Sequence, residues 1–362
     1  MTKFRAGIVG ATGYVGQRFL TLLADHPWFE VTKLAASKRS AGKTYAEATE
    51  GRWSIPVPMP EKYAESVLFD SSKVEELCED LDLVFCAVDM SKDELIALEE
   101  AMAKQEVAVI SNNSANRWTE DVPTLIPEIN PDHTQLIERQ RKRLGTRKGF
   151  IACKPNCSIQ SYTPMLDALK EYEPEKVIVS TYQAISGAGK TFDTWPEMIG
   201  NVIPYIGGEE EKSEQEPLRI LGKIHEGSIE LPAKPVISAQ CYRVPVLEGH
   251  MASVAVSFAK PPTREQIIDA WKNYQGAEIA RDLPSSPKQK ITYYEENDRP
   301  QTRFDVMTES GMGFMASRLR EDPIFDYKFT GLSHNTIRGA AGGAILMAEL
   351  LTKQGFIERE ND

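Results

Sequence analysis

Apolar positions fall in short blocks along the first third of the chain, and the spacing within the blocks alternates between two periods. Phe4-Arg5-Ala6-Gly7-Ile8-Val9 is a compact apolar run, which predicts a buried strand. Val15, Phe19, Leu22 and Leu23 follow at i, i+4, i+7 and i+8, one face of a helix. Residues 29–36, 83–88 and 107–110 read as further strands, with a helix over 91–104 between the last two. Strands separated by helices of about 10–15 residues predict βαβ units and a parallel sheet. The pattern changes after about residue 156. Segments 176–184, 237–246 and 251–258 are longer β patterns with fewer helices between them, which predicts an α+β unit with a mixed or antiparallel sheet. Residues 335–353 return to a helical period, with Ile337, Ala341, Ala344, Ile345, Ala348 and Leu351 on one face. Gly339, Gly342 and Gly343 in that helix leave room for another element to pack closely. The polar segment 204–235, punctuated by Gly and Pro, reads as a loop between strands. The expected class is α/β with a parallel sheet, joined to a second α+β unit.

At roughly 150 residues per domain, 362 residues allow two domains. With 41% apolar and 26% charged residues, disordered, collagen-like and coiled-coil chains are excluded. A net charge of −11 argues against a nucleic-acid partner. No apolar stretch approaches 18 residues, so no membrane span is expected, and the start of the chain lacks the apolar block of a signal peptide. Five cysteines are too few, and odd, for a disulfide framework, which points to reduced thiols and a cytoplasmic protein. No HxxH, HExxH or CxxC spacing occurs, so no metal site is expected.

Gly10-Ala11-Thr12-Gly13-Tyr14-Val15-Gly16 lies at the first strand–helix junction. Glycines there permit a tight turn and let backbone N–H groups approach a pyrophosphate at a helix N-terminus. Gly10, Thr12, Gly13, Tyr14 and Val15 are therefore candidate cofactor contacts. An NAD site usually carries an acid after the second strand. Here the strand runs into Ser37-Lys38-Arg39-Ser40, whose cations and hydroxyls suit a 2′-phosphate, so NADP is the expected cofactor. Cys157, in Pro155-Asn156-Cys157-Ser158, precedes a helical pattern, and a helix N-terminus favours a thiolate. Cys78, Cys86, Cys153 and Cys241 sit inside strand or helix patterns and read as packing. Arg243 and His250 flank a tight connection. Arg suits a carboxylate, and His suits acid–base work near neutral pH. Glu209-Glu210-Glu211-Lys212 reads on composition alone as a solvated acidic turn.

Together and in this order these residues resemble the aspartate-semialdehyde dehydrogenase family. The likeness runs through GATGYVG at 10–16, SKRSAGK at 37–43, SNNSANR at 111–117, LIPEINP at 125–131, PNCS at 155–158, QAISGAG at 183–189, NVIPYIGGEEEK at 201–212, RVPVLEGH at 243–250 and HNTIRGAAGGAI at 334–345. The insert at 132–148 is similar to the archaeal and fungal branch. The resemblance implies a Rossmann NADP-binding domain over 1–156 and 335–362, closed by the C-terminal helix. It implies an inserted α+β catalytic and dimerisation domain over 157–334. It further implies Cys157 as nucleophile, His250 as acid and base, and Gln183 as the residue orienting substrate near the thiol. Arg243 would meet the α-carboxylate, Glu210 the α-ammonium, and Arg117 with Lys212 the phosphate. Asn156 would lie on the substrate side, and Ser186, Gly187, Asn335 and Thr336 on the nicotinamide side. The implied reaction converts 4-phospho-L-aspartate to L-aspartate 4-semialdehyde and phosphate, for lysine, methionine and threonine synthesis, in a homodimer or homotetramer. Ile159 and Lys190-Thr191-Phe192 depart from the family wording. The alternatives are an N-acetyl-glutamyl-phosphate or malonyl-CoA reductase, or a non-catalytic NADP-binding protein. Glu210 and Lys212 favour a free amino acid carrying phosphate.

Overall fold

The computed structural model describes residues 2–359, so Met1 and 360–362 of the expected domain ranges lie outside the described residues. Six strands form a parallel sheet: β1 (Phe4–Val9), β2 (Phe29–Ala36), β3 (Phe69–Asp70), β4 (Leu83–Cys86), β5 (Ala108–Ser111) and β6 (Phe150–Cys153). Their order is β3-β2-β1-β4-β5-β6. Every residue of β4, β5 and β6 is buried, as continuous apolar runs demand when both faces are covered. The Tyr14–Leu23 helix and the C-terminal helix Gly342–Lys353 pack on one face, through Phe19, Leu20, Leu23, Ala344, Ala348 and Leu351. The Lys92–Lys104 helix packs on the other, through Met102 and Ala103. The strand order reverses between β1 and β4, and ligands of such sheets bind beyond the carboxyl ends there.

The second sheet uses β7 (Pro174–Gln183), then, beyond the small hairpin of β8 (Lys223–His225) and β9 (Ser228–Glu230), β10 (Val236–Arg243), β11 (His250–Phe258), β12 (Ile291–Tyr294), β13 (Phe314–Glu321) and β14 (Tyr327–Ser333). Its order is β10-β7-β11-β14-β13-β12, with β10–β7 and β12–β13 parallel and the other pairs antiparallel. Ile159, Tyr162, Met165, Leu166 and Trp271 share its buried core. The α/β class with a parallel Rossmann-like sheet and a second, mixed sheet is therefore present.

Two sequence expectations need correction. Segment 204–235 contains the helix Glu209–Ile220 as well as the hairpin. Its buried residues include Glu209, Ser213 and Glu216, so hydropathy shows no helical stripe. Pro217 lies inside it, lacks the N–H that would bond the Ser213 carbonyl, and leaves that carbonyl to accept the Tyr162 hydroxyl at 2.5 Å. The second correction concerns 335–353, which opens as a π turn over Ile337–Ala341 and becomes α-helical from Gly342. The close packing expected of its glycines is real. A Cβ on Gly339 would lie 2.8 Å from the Cys157 Cβ, and one on Gly342 2.7 Å from the Met312 sulfur.

Candidate active site

Cys157 sits just beyond β6, in a loop pinned from several sides. The Asn156 N–H donates to Glu216 Oε2 at 2.6 Å, and Asn156 Oδ1 accepts from the Ser158 N–H and hydroxyl at 2.8 and 2.6 Å. Asn156 thus shapes the turn that presents the thiol. The helix beyond Cys157 is a 3₁₀ turn of four residues, Ser158–Ser161, too short for a strong dipole. The expected pull toward thiolate is therefore not what the free site shows. Burial pushes the Cys157 thiol up and Glu209 adds to this, while Lys154, Arg243 and Arg117 oppose it.

His250 opens β11. Its Nε2 stands 3.4 Å from Cys157 Sγ, and its Nδ1 accepts the Ala184 N–H at 3.0 Å. A neutral ring has one hydrogen, so these partners place it on Nε2, directed at sulfur. Burial, then Arg243, lower the ring's pKa to about 3, so it is neutral at working pH. Gly187 admits this cluster, because a Cβ there would lie 2.9 Å from Arg243 Nη1 and 3.1 Å from His250 Nε2.

Gln183 and Arg243 end the paired strands β7 and β10 and stand directly opposite each other. Gln183 Nε2 donates to Thr181 Oγ1 and Glu209 Oε2, each at 3.2 Å. Arg243 is buried, donates to the Ala184 carbonyl at 2.7 Å, and has no carboxylate partner among the described residues. The first two of the three acids that open the Glu209–Ile220 helix diverge. Glu209 is buried between Asn156 Nδ2 (3.0 Å), Gln183 and Lys212 Nζ (2.9 Å). Burial would raise its pKa, yet Lys212 first, then Asn156 and Gln183, hold it below the usual value. Glu210 instead accepts the Cys241 N–H of β10 at 3.2 Å, away from the thiol. The structure therefore puts Glu209, not Glu210, beside the cysteine. Arg117 is fixed by Glu216 Oε1 at 2.9 Å and by the Lys154 and Asn112 carbonyls.

A cavity of about 350 Å³ runs from Val15 and Thr336 to Arg117, Cys157, Glu209 and Lys212. Asn156, Ser186, Gly187 and Asn335 also line it, and Gln183, Arg243 and His250 back that wall. On the sheet side Gly10 has φ +88°, and a Cβ there would strike the Ala87 carbonyl at 2.1 Å. Gly13 is exposed at the turn and Thr12 half-buried, while the Tyr14 hydroxyl is taken by Glu248 at 3.0 Å. After β2, Ser37, Lys38 and Arg39 are exposed and Ser40 is buried. Neither cation is ion-paired among the described residues, and the nearby Asp70 is engaged by the Ser72 N–H and hydroxyl. This open cationic loop beside a glycine cradle fits a dinucleotide with a 2′-phosphate.

Sequence reasoning missed Glu248, whose carboxylate takes the Tyr14 and Thr336 hydroxyls, each at 3.0 Å, and Arg18. His334 Nε2 lies 3.1 Å from its other oxygen. Asn335 links the same region, donating to Ser186 Oγ and accepting the Gly249 N–H, both at 2.8 Å. Among the described residues no group of three His, Cys, Asp or Glu is placed to hold a metal ion.

The sequence profile of the semialdehyde dehydrogenase NAD binding domain matches residues 5–137, and that of the semialdehyde dehydrogenase dimerisation domain matches residues 163–338. An aspartate-semialdehyde dehydrogenase of Archaeoglobus fulgidus is 42% identical over 355 residues, spanning 98% of this chain and 100% of that protein. The Saccharomyces cerevisiae aspartate-semialdehyde dehydrogenase is 38% identical, over 97% of this chain and 98% of its own. The crystal structure of aspartate semialdehyde dehydrogenase with NADP from Candida albicans superposes with a TM-score of 0.87 at 36% identity, over 98% of this chain and 100% of that one. Likeness of this extent, reaching through both sheets and the loops that bring a cysteine to a histidine, shows that this chain belongs to the aspartate-semialdehyde dehydrogenase family of oxidoreductases.

Proposed function

We propose that this chain converts 4-phospho-L-aspartate to L-aspartate 4-semialdehyde with NADPH, releasing phosphate, through a thioester on Cys157. The observation that carries the proposal is the Cys157 Sγ–His250 Nε2 pair at 3.4 Å, beside a cavity that joins the GATGYVG turn to Arg117, Glu209 and Lys212. The Cys157 thiolate attacks the acyl carbon; a C–S bond forms, the C–O bond to phosphate breaks, and phosphate leaves with that electron pair. NADPH, when bound, supplies a hydride. His250 Nε2–H donates to the acyl oxygen as negative charge gathers there, and to sulfur as the C–S bond breaks, its electron pair returns to sulfur and the aldehyde departs.

The remaining residues place the substrate. Arg243 offers its fork to the α-carboxylate, since no protein acid competes for it. Glu209 meets the α-ammonium, in the place that resemblance had assigned to Glu210. Lys212 and Arg117 meet the phosphate, with Arg117 held in place by Glu216. Gln183 steadies Glu209 and faces the thiol side. Gly10, Thr12, Gly13 and the helix beginning at Tyr14 would hold the pyrophosphate, with Val15 on the cavity wall. Ser37, Lys38, Arg39 and Ser40 would take the 2′-phosphate, and Ser186, Gly187, Asn335 and Thr336 would border the nicotinamide.

An acid at Glu209 supports a free amino group and so disfavours an N-acylated substrate. We place the domain division at 156/157 and 334/335. The open face of β7 and β10 supports a homodimer, or a homotetramer built from it. All five cysteines are free, which supports a reducing compartment such as the cytoplasm, and no helix among the described residues is long and apolar enough to cross a membrane. The test is reduction of NADP by L-aspartate 4-semialdehyde. NADPH should accumulate with added phosphate and not without it; no phosphate-dependent signal would reject the reading.

A further inference from the structure

Val244-Pro245-Val246-Leu247 is an apolar turn, and the acid that follows it, Glu248, has a side chain only 12% exposed. A carboxylate taken out of water is kept where partners replace the water. Glu248 has four such partners, and none comes from its own loop. Oε1 accepts the Tyr14 and Thr336 hydroxyls, each at 3.0 Å, and pairs with Arg18, which has no other acid partner among the described residues. Oε2 lies 3.1 Å from Nε2 of His334, whose Nδ1 accepts the Thr336 and Ile337 N–H groups at 3.3 and 3.2 Å. Tyr14 opens the helix that follows the glycine turn, and Thr336 lines the cavity. The other end of the link has little slack. The Val246 and Leu247 carbonyls accept the Ile185 and Ser186 N–H groups at 2.9 and 3.2 Å, and the Gly249 N–H donates to Asn335. Gly249 has φ +100°, and a Cβ there would lie 3.1 Å from the Thr302 and Val306 methyls. His250 follows at once. It is held beside the thiol without Glu248, by the Ala184 N–H and by the pairing of β11 with β7 and β14.

We propose that Glu248 is a positioning residue that sets the dinucleotide cradle against the Cys157–His250 pair. Its carboxylate joins the two parts of the molecule that must meet for hydride transfer. One part is the Tyr14–Leu23 helix with Thr336, and the other is the loop that enters β11. Hydride passes only between carbons held about 3–3.5 Å apart, and an error of about 1 Å costs roughly 100-fold. The reactivity of the free thiol needs no such register, because Cys157 and His250 face each other without the link. Glu248 therefore acts on the hydride step and leaves the free thiol alone.

This role rests on the reaction proposed above, and the test keeps the two apart. Wild type and Glu248→Gln, each with NADP, are mixed with L-aspartate 4-semialdehyde in the absence of phosphate. The aldehyde adds to Cys157. The C–H bond of that adduct then breaks, its hydrogen and electron pair reduce NADP, and the hydroxyl proton is released, leaving the thioester and one NADPH per site. This burst should be at least about tenfold slower in Glu248→Gln, and slower again when the aldehyde carries deuterium at C4. Iodoacetamide labelling of Cys157, mapped by mass spectrometry, reports on the same register without turnover. In the cofactor-free variant it should run within about twofold of wild type. With saturating NADP, the shielding of Cys157 should be at least about fivefold weaker than in wild type. An unchanged burst, unchanged shielding, or slower labelling of the cofactor-free variant each overturns the role of Glu248 and leaves the reaction standing. A wild type that gives no burst overturns the reaction and this role together. Should Glu248→Gln fail to fold, Arg18→Met cuts one tie of the carboxylate without stranding a buried cation. It should slow the burst about threefold or more and weaken the shielding; a folded Arg18→Met that matches wild type overturns the role.

Discussion

Glu209 and Glu210 are adjacent carboxylates with opposite surroundings, and in the proposed reaction only Glu209 is placed to meet the substrate's ammonium. A helix turns about 100° per residue, so one acid faces the cavity while the next faces β10. Only Glu209 shares a face with Lys212, three residues on. A hydrogen bond to a charged group is worth about 1.5–3 kcal/mol. Glu209→Gln should therefore lower kcat/KM for L-aspartate 4-semialdehyde by roughly 10–100-fold. Glu210→Gln should change it less than about threefold, because that side chain only caps a strand N–H. Steady-state kinetics on both variants decide the matter, and the reverse ranking would return the ammonium to Glu210. Burial also gives the site a pH signature. His250 has a pKa near 3 in the fold against 6.5 for the free side chain. Between those values the unfolded chain binds more protons, so stability falls as pH drops through that window. Glu248 acts in the same direction lower down. Burial would raise its pKa, but His334, Arg18 and Tyr14 hold it at about 2 against 4.5. Urea midpoints should fall steadily from pH 7 toward pH 4, and His250→Asn should flatten the upper part of that slope.

The Glu209–Ile220 helix shows where reading the chain stops working. β1 and β2 are legible to the residue because their buried positions are apolar and bounded by turns. The GATGYVG turn is legible because a strand precedes it and a helix follows. The Glu209–Ile220 helix buries Glu209, Ser213 and Glu216, whose partners Asn156, Tyr162 and Arg117 lie 51 or more positions away in sequence, so no local period reveals it. Reading that segment as a loop removed the face argument that singles out Glu209. It also hid Glu216, which ties Arg117 to the cysteine loop. Pro217 made the segment look broken. Its cost to the helix ladder is offset by Tyr162, whose hydroxyl takes the freed Ser213 carbonyl. Tyr162→Phe should thus destabilise the protein by about 1–3 kcal/mol, since it leaves a buried carbonyl unpaired. In Pro217→Ala the new N–H can reach Ser213, and the same Tyr162→Phe change should cost at least about 0.5 kcal/mol less. Equal costs in the two backgrounds, measured by urea unfolding, would show that the carbonyl is not the shared partner.

The two sheets are locked together by polar links, while one face of the second sheet is left open. Glu248, on the connection between β10 and β11, holds Tyr14 and Arg18 from the first helix and Thr336 from the last segment, two residues before His250 enters the site. Both halves of the molecule thus converge on the loop that carries the His250 ring. The open face belongs to β10 and β7. Strand alternation puts Ile178, Tyr182 and Val236 on the side opposite the core, with exposures of 48%, 38% and 56%. Tyr182 stacks on Tyr242 across the strands at 5.9 Å. The neighbouring segment adds Ile199, Val202 and Tyr205, and Ile203 bridges it to Arg243, so the apolar surface continues past the sheet edge. In the proposed homodimer this exposed apolar face is the interface, and its central residues would carry most of the association energy. Burying two carboxylates without partners in such an interface costs several kcal/mol, and each 1.4 kcal/mol is tenfold in affinity. Ile178→Asp with Val236→Asp should weaken self-association by at least about 100-fold, read as a shift from dimer to monomer in sedimentation equilibrium. NADP binding should persist, because the cradle at Gly10 and the Lys38–Arg39 loop belong to the other sheet. A wild-type chain that sediments as a monomer, or a double variant that still sediments as a dimer, would move the interface away from this face.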